Sequence, residues 1–341
     1  MVRTPKSIAK AGVTHIAAMA APFAWKCRKR RSLVVLMYHR VLPNDAPAVA
    51  AEQPGMYVSP GTLSLHIQVL KEYFELMHLD EWLRRAKQGN ALPPLACAIT
   101  FDDGWRDNYE LALPVLMRHQ APATIFLVSN FIGTNYRFWP NRLIDMLRRA
   151  FAEPGSIDFP QPLRLVTDPV LAKAAVRGSL RPDDIDVAVR HAKTWDEGKI
   201  RDLVETAATN VNGNEGARDI LSRGEITGMA ATGLIRFGSH TATHFRLSGE
   251  VSSEVLEREI LGSREDLQAL CAQDIDLFCY PNGDTAPAAI NLVRQHYLGA
   301  VCTRKGWHTV GGDPHLVRRI GVHEDISNSR ESFLACLSGW F

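Results

Sequence analysis

The sequence predicts an α/β fold of parallel βα units, of the kind that closes into a barrel with its chemistry at the carboxyl ends of the strands. Three observations carry this reading. Continuous apolar runs such as Leu33–His39 and Ala123–Val128 have the pattern of strands buried on both faces. Helical periodicity fills the stretches between such runs, as in Leu63, Ile67 and Leu70 and then Leu79, Trp82 and Leu83. Strand, helix, strand in this rhythm argues for parallel pairing through right-handed crossovers. A chain of 341 residues suits a single α/β barrel domain, and 46% hydrophobic with 22% charged residues is an ordinary globular balance. The net charge of +2 gives no argument for nucleic acid or for an acidic partner. Six cysteines without a CxxC pair read as free thiols in a reducing compartment.

Residues 1–31 form a basic N-terminal segment. Arg3, Lys6 and Lys10 precede a mildly apolar stretch, Ala11 to Trp25, which ends in Lys26-Cys27-Arg28-Lys29-Arg30-Arg31. The stretch is too weakly apolar for a signal peptide. With His15 and Pro22 inside it, it also falls short of the roughly 20 apolar residues of a spanning helix. Two readings stay open: a basic helix with no targeting role, or a peripheral anchor whose cations meet anionic lipid. The expected location is the cytoplasm, with the inner face of the membrane where the anchor reading holds.

Residues 32–341 are expected to form the catalytic domain. Its first strand, Leu33–His39, delivers His39 to a sheet rim. Ser59-Pro60 reads as an N-cap followed by proline at the first helical position. A helix over about 108–119 precedes the strand Ala123–Val128. The cluster Tyr136 to Arg142, with Trp139 at its centre, suits a loop whose aromatic and arginine side chains stack on a ligand or one tucked onto the core. From about 155 to 230 no strand signal appears. Helical stretches at Pro182–Ala208 and Gly224–Thr232 mark this region as a helical insertion or lid. Strands resume at Leu234–Phe237, Ile275–Tyr280, Gly299–Thr303 and Leu316–Val322. With the run that ends at Phe101 they bring the total to about seven. A helix over Ser252–Leu270 has Ser252 and Ser253 as cap candidates.

Chemistry concentrates in two stretches. Ala98-Ile99-Thr100-Phe101-Asp102-Asp103-Gly104 is an apolar run that ends in adjacent carboxylates. Side chains alternate along a strand, so the two carboxylates point in different directions and can do different jobs. Gly238-Ser239-His240-Thr241-Ala242-Thr243-His244 places two imidazoles at i and i+4, which one helical turn would bring to one face. One carboxylate with two imidazoles is a three-ligand set that leaves positions open for water and substrate, as catalytic metal sites do.

These two stretches resemble the first and second motifs of the polysaccharide deacetylases with the NodB-homology domain, carbohydrate esterase family 4. Thr100-Phe101-Asp102-Asp103-Gly104 matches the first and Ser239-His240-Thr241-Ala242-Thr243-His244 the second, in the right order. The resemblance runs from about Leu33 to Val322. It implies a distorted (β/α)7-type barrel with a helical insertion. It also implies a metal-dependent removal of N-acetyl groups from an N-acetylhexosamine-containing polysaccharide, oligosaccharide or lipid-linked glycan, as in exopolysaccharide biosynthesis. Asp103, His240 and His244 would hold a divalent ion, zinc first, with cobalt, manganese, nickel and iron as alternatives. Asp102 would be the base that takes a proton from the attacking water.

The resemblance places the oxyanion donor in the loop after Phe278-Cys279-Tyr280-Pro281-Asn282-Gly283, with Asn282 as the candidate and Tyr280 beside it. The family's arginine before this proline is missing here, so a charge that tunes the base must come from elsewhere, for example Arg319, which also ranks among the substrate-contact candidates. The family's late histidine motif has no clean counterpart, which leaves His323 and His39 as competing general acids. De-O-acetylation or deformylation of a related glycan is the nearest alternative, and a catalytically inactive carbohydrate-binding relative is another. A non-haem iron oxygenase also uses two histidines and a carboxylate, but has no need of Asp102 beside its ligand. Carbohydrate is the expected partner, and nucleic acid is not.

Overall fold

The computed structural model of the chain describes residues 5–50, 52–209 and 218–339. Among these, seven parallel strands close on themselves: β1 (Ser32–Tyr38), β2 (Leu95–Phe101), β3 (Ala123–Leu127), β4 (Ile235–Ser239), β5 (Leu277–Cys279), β6 (Gly299–Lys305) and β7 (Val317–Gly321). The pairing runs in chain order, and closure comes from β7 beside β1, with Met37 opposite Gly321, and β1 beside β2, with Tyr38 opposite Phe101. The expected (β/α)7-type barrel is therefore the fold. Every carboxyl end of a strand lies at one rim, which is where the predicted chemistry collects.

The pleat sorts side chains into two layers. Val34, Leu36, Cys97, Ile99, Phe101, Phe237, Phe278, Tyr280 and Ile320 face outward into the main core. Leu33, Val35, Ala96, Ala98, Phe126, Leu277, Cys279, Val301 and Val317 face inward, and Trp82 and Leu83 of the helix Leu79–Gln88 pack on them. The interior is narrow. A Cβ at Gly238 would stand 2.6 Å from the Phe126 ring and 2.9 Å from the Leu277 carbonyl, so β4 passes this level only as glycine. Ser59 caps the helix Pro60–Tyr73 as expected, its hydroxyl accepting the Thr62 N–H at 3.1 Å. The N-terminal helix Pro5–Lys26 turns Ala17, Ala18, Ala21 and Trp25 into the core. The Trp25 ring lies 5.2 to 5.7 Å from those of Phe74, Tyr73 and Trp307.

The chain divides into two compact units. The barrel unit comprises 1–43, 57–134 and 220–341, and the second comprises 44–56 and 135–219. Against the insertion expected over about 155–230, the second unit starts earlier, stops earlier and takes in an N-terminal piece. The helix Arg223–Ala231 belongs to the barrel unit. Helices Trp139–Ala152, Gln161–Arg177, Pro182–Ala192 and Glu197–Thr209 surround their own core of Leu143, Leu147, Leu163, Ile185, Val189 and Val204. Polar contacts explain why 44–56 joins them. Buried Glu52 accepts from Asn141 Nδ2 at 3.0 Å, and Gln53 bonds Asp186 and Lys193 at 2.9 Å each.

Candidate active site

The last residues of β2 build the first half of the site. The Asp102 N–H extends the β1–β2 ladder to the Tyr38 carbonyl at 2.9 Å, so its side chain stays in register and points into the barrel with Ala96, Ala98 and Thr100. There it meets Arg319 of β7 in a bidentate pair, Nη1 to Oδ1 and Nη2 to Oδ2, each 2.7 Å. The guanidinium is fully buried and spends its remaining donors on the Cys302 carbonyl, Thr100 Oγ1 and Cys279 Sγ, all at 3.2 Å. Burial by itself would raise the Asp102 pKa. The charge and hydrogen bonds of Arg319 outweigh it and hold the carboxyl below the usual range, so Asp102 is ionised. His39, just past β1, puts Nε2 3.9 Å from Asp102 Oδ2. Burial pulls its pKa down against the pull of the two aspartates, which favours the neutral ring.

Asp103 leaves the strand. Its φ of 75°, followed by 73° at Gly104, turns the chain through two left-handed residues, and a Cβ at Gly104 would lie 2.9 Å from the Leu127 side chain. Asp103 Oδ1 comes to 3.4 Å from His240 Nε2 and 3.5 Å from His244 Nε2, while Oδ2 accepts the Trp105 indole N–H at 3.0 Å. Burial opposes its ionisation, but the hydrogen bond to His240 and the charges of the neighbouring imidazoles hold the carboxyl well below its ordinary value.

His240 follows β4, with its N–H on the Leu127 carbonyl at 2.8 Å. Its Nδ1 lies 2.8 Å from the Cys279 carbonyl, which can only accept, so Nδ1 carries a proton and Nε2 is the nitrogen left to face Asp103, the atom that would ligate a metal. His244 arrives differently from the helical turn that its spacing suggested. Residues 240–244 form an irregular loop in which Thr241 and His244 are left-handed, at φ 66° and 58°. Fully buried Glu259 holds the loop: its carboxylate takes the Thr243 N–H at 2.9 Å and the Thr243 hydroxyl at 3.0 Å, and its carbonyl takes the Ala242 N–H at 3.1 Å.

The donor set fits a divalent ion. The three ligand atoms lie within 4.8 Å of one another, in a buried carboxylate and two imidazoles. Atoms about 2.1 Å from a tetrahedral ion stand about 3.4 Å apart, which is the separation seen from Asp103 to each histidine. A second grouping, Asp102, His240 and Cys279, does not fit. Both Asp102 oxygens are already engaged by Arg319, and burial pushes the Cys279 thiol far up, away from the thiolate a metal needs.

The other expected residues divide. Arg319 is the counter-ion of Asp102 and, with its donors spent inside the barrel, is removed from substrate contact. Asn282, exposed and left-handed at φ 52°, sits in the turn Pro281–Gly283 after β5. The N–H groups of Gly283 and Asp284 are used within that turn and Pro281 has none, which leaves Asn282 as the turn's remaining donor. Tyr280 is corrected: strand alternation turns Cys279 into the barrel and Tyr280 outward, where its ring is fully buried between Phe278 and the outer core. Trp139 is corrected too, because it opens the helix Trp139–Ala152 and is buried in the core of the second unit. His323 stands two residues past β7 on the same rim as His39, and its Nδ1 pairs with Asp325 at 3.3 Å.

Sequence reading missed a supporting shell. Asp107 accepts from Arg40 Nε and the Val41 N–H at 2.8 Å each. The Arg40 guanidinium lies 4.2 Å over the Trp105 ring, and that indole holds Asp103. Asn108 Nδ2 donates to the His39 carbonyl at 2.9 Å. Their signal was adjacency, since Trp105, Asp107 and Asn108 follow the aspartates directly and Arg40 follows His39.

The polysaccharide deacetylase family model matches residues 90–158 and 196–301. The chain is 30% identical over 134 residues to the poly-beta-1,6-N-acetyl-D-glucosamine N-deacetylase of Staphylococcus epidermidis, covering 36% of this chain and 46% of that one. The chain thus spans about half the length of the curated relatives it matches. Among solved structures, the Streptococcus pyogenes deacetylase PplD in complex with acetate superposes with a TM-score of 0.59 at 17% identity, covering 91% of this chain and 99% of that one. IcaB from Ammonifex degensii gives 0.53 at 17% identity, with 90% and 97% covered. Likeness at this identity is a likeness of fold.

Proposed function

Because the chain belongs to the polysaccharide deacetylase family, we propose that it is a metal-dependent hydrolase that removes N-acetyl groups from an N-acetylglucosamine-containing glycan. One observation carries the reading: a carboxylate kept ionised by the protein's own arginine stands beside a carboxylate and two imidazoles spaced for a divalent ion. Similarity to the Staphylococcus epidermidis enzyme supports the N-acetylated polysaccharide as the substrate class.

Amide hydrolysis needs an activated water, a stabilised oxyanion and a proton for the departing amine. Asp102 takes the proton from the water, since each of its oxygens accepts one N–H from Arg319 and keeps a second acceptor position. The arginine that keeps Asp102 charged also weakens it as a base, so the water it serves must be made more acidic. A divalent ion held by Asp103, His240 and His244, zinc in the first instance, would supply that acidity and polarise the acyl carbonyl. The backbone N–H of Asn282 is the candidate donor to the developing negative charge. An acid must carry a proton before it gives one up: His39, 3.9 Å from Asp102 Oδ2, is placed to receive the proton that Asp102 takes from the water and to pass it to the amine, and His323 at the matching place after β7 is the other candidate.

The test is acetate release from N-acetylglucosamine oligomers by the zinc-loaded protein, with Asp102→Asn and a chelated sample alongside. Release that requires both the metal and Asp102 supports the reading. Zinc bound without release from N-acetyl, O-acetyl or formyl glycans would move the chain to a carbohydrate-binding role. His39→Ala and His323→Ala, with metal content measured, separate the two acids.

A further inference from the structure

Residues 16–25 of the N-terminal helix Pro5–Lys26 are apolar on two opposite faces, and among the described residues the fold uses only one of them. Ala17, Ala18, Ala21 and Trp25 turn inward against Tyr73, Phe74, Trp307 and the C-terminal helix Arg330–Ser338. Ile16, Met19 and Phe23 turn outward and are 64%, 71% and 75% exposed, among the most exposed large apolar side chains of the barrel unit. At about 100° per residue, positions i, i+3 and i+7 fall within about 60° of one another, so these three make one stripe. Exposed Ala20 and Ala24 widen it without interrupting it. An exposed apolar stripe of this kind calls for an apolar partner, and among the described residues none covers it.

Charge identifies the second partner. The stripe runs directly into exposed Lys26, Arg28, Lys29, Arg30 and Arg31, and no acidic residue precedes Asp45 in the whole sequence. A second copy docked on the stripe would bring two such clusters together with no carboxylate of the segment itself to offset them. An anionic bilayer surface offers an apolar boundary for the stripe and phosphate groups for the cluster. No helix among the described residues is long and apolar enough to cross a membrane, so the helix would lie on the surface and not span it. The cluster precedes β1 and His39 follows it, which sets lipid contact and the rim that carries the candidate site at opposite ends of that strand.

We propose that this helix docks the protein on anionic lipid through Ile16, Met19, Phe23 and the basic cluster that follows. This is independent of the chemistry proposed above. The test is flotation of the full chain with phosphatidylglycerol-containing vesicles against pure phosphatidylcholine vesicles, at low and high salt. Binding is expected to the anionic vesicles and to weaken with salt. Met19→Glu with Phe23→Glu, and separately Lys29→Glu with Arg30→Glu, should each lower partitioning about tenfold or more, because one surface cation is worth about fivefold. Circular dichroism and zinc binding, both unchanged, would keep the loss assigned to the surface. No binding by the wild type, or binding insensitive to both salt and lipid charge, overturns the proposal without any variant having to fold. So does a concentration-dependent dimer that the Met19→Glu, Phe23→Glu pair abolishes, because the stripe would then belong to a second copy.

Discussion

The barrel interior around Asp102 and the rim around Asp103 begin one residue apart and solve opposite electrostatic problems. In the interior the protein supplies both charges: Asp102 and Arg319 neutralise each other, and the remaining guanidinium donors are satisfied by neighbouring strands. At the rim the described residues bring together a carboxylate and two imidazoles, a donor set spaced for a positive ion from outside. Both carboxyls are held below their ordinary pKa against burial, yet by different means, a permanent guanidinium in one case and imidazoles in the other. Asp102 stays in the strand register, while the left-handed turn at Asp103 and Gly104 carries the second carboxylate off the strand. A repeated residue type thus becomes two parts of one machine.

The largest test removes the interior cation. Arg319→Met should cost about 3 to 5 kcal/mol in urea unfolding at neutral pH, because a buried carboxylate is left without its partner. The pH dependence follows from the sign of the shift. In the wild type the depressed Asp102 pKa gives stability that is present above the unfolded value of about 3.9 and is lost as pH falls through the folded one. In the variant burial dominates and raises that pKa, so the gap between the two proteins should begin to narrow as pH falls toward about 4 and continue to narrow below it as the wild type loses its own contribution. A gap independent of pH would assign the loss to packing. The double change Asp102→Leu, Arg319→Met should be milder than the single, since the pair is removed whole.

Asp102→Asn should lower acetate release about 100- to 10,000-fold while zinc binding persists, which would confirm that the two carboxylates have separable roles. Loss of zinc together with activity would show that they act as one ligand group. Third in size, zinc at about a hundred times its Kd should stabilise the wild type by about 2.7 kcal/mol and leave His244→Ala unmoved. The smallest effect concerns the shell behind the rim. Trp105→Phe keeps the ring and removes the N–H on Asp103, and should weaken zinc binding about 10- to 100-fold in a competition titration. Equal affinity would make that indole a packing residue alone.

What was legible in the sequence follows the range of each signal. Strand runs and motif ends are local, so the seven strands, the two aspartates and the histidine pair could be read directly. Arg319 could only be guessed, because its partner lies 217 residues away and nothing local marks which arginine of β7 faces inward. Tyr280 shows the cost of a register left undecided: one residue along β5 separates the barrel interior from the outer core. The His240–His244 spacing suggested a helical turn, but the Glu259 carboxylate stabilises an irregular loop instead, and no pattern in the loop announces that support. The second unit was blurred because helix Gln161–Arg177 is interrupted by Pro169 and its N-terminal piece, 44–56, is distant in the chain.

Closure of the barrel by β7 also sets an order in time. A ribosome delivers β1 and β2 early, and Asp102 waits through more than two hundred further residues before Arg319 arrives in the strand that wedges between β6 and β1. Until then the nascent sheet is open and the carboxylate must remain in water, because no cation of the finished interior has yet been made. Such a late, long-range pairing is slow to form. The Asp102–Arg319 pair therefore forms only after all seven strands of the barrel have been made.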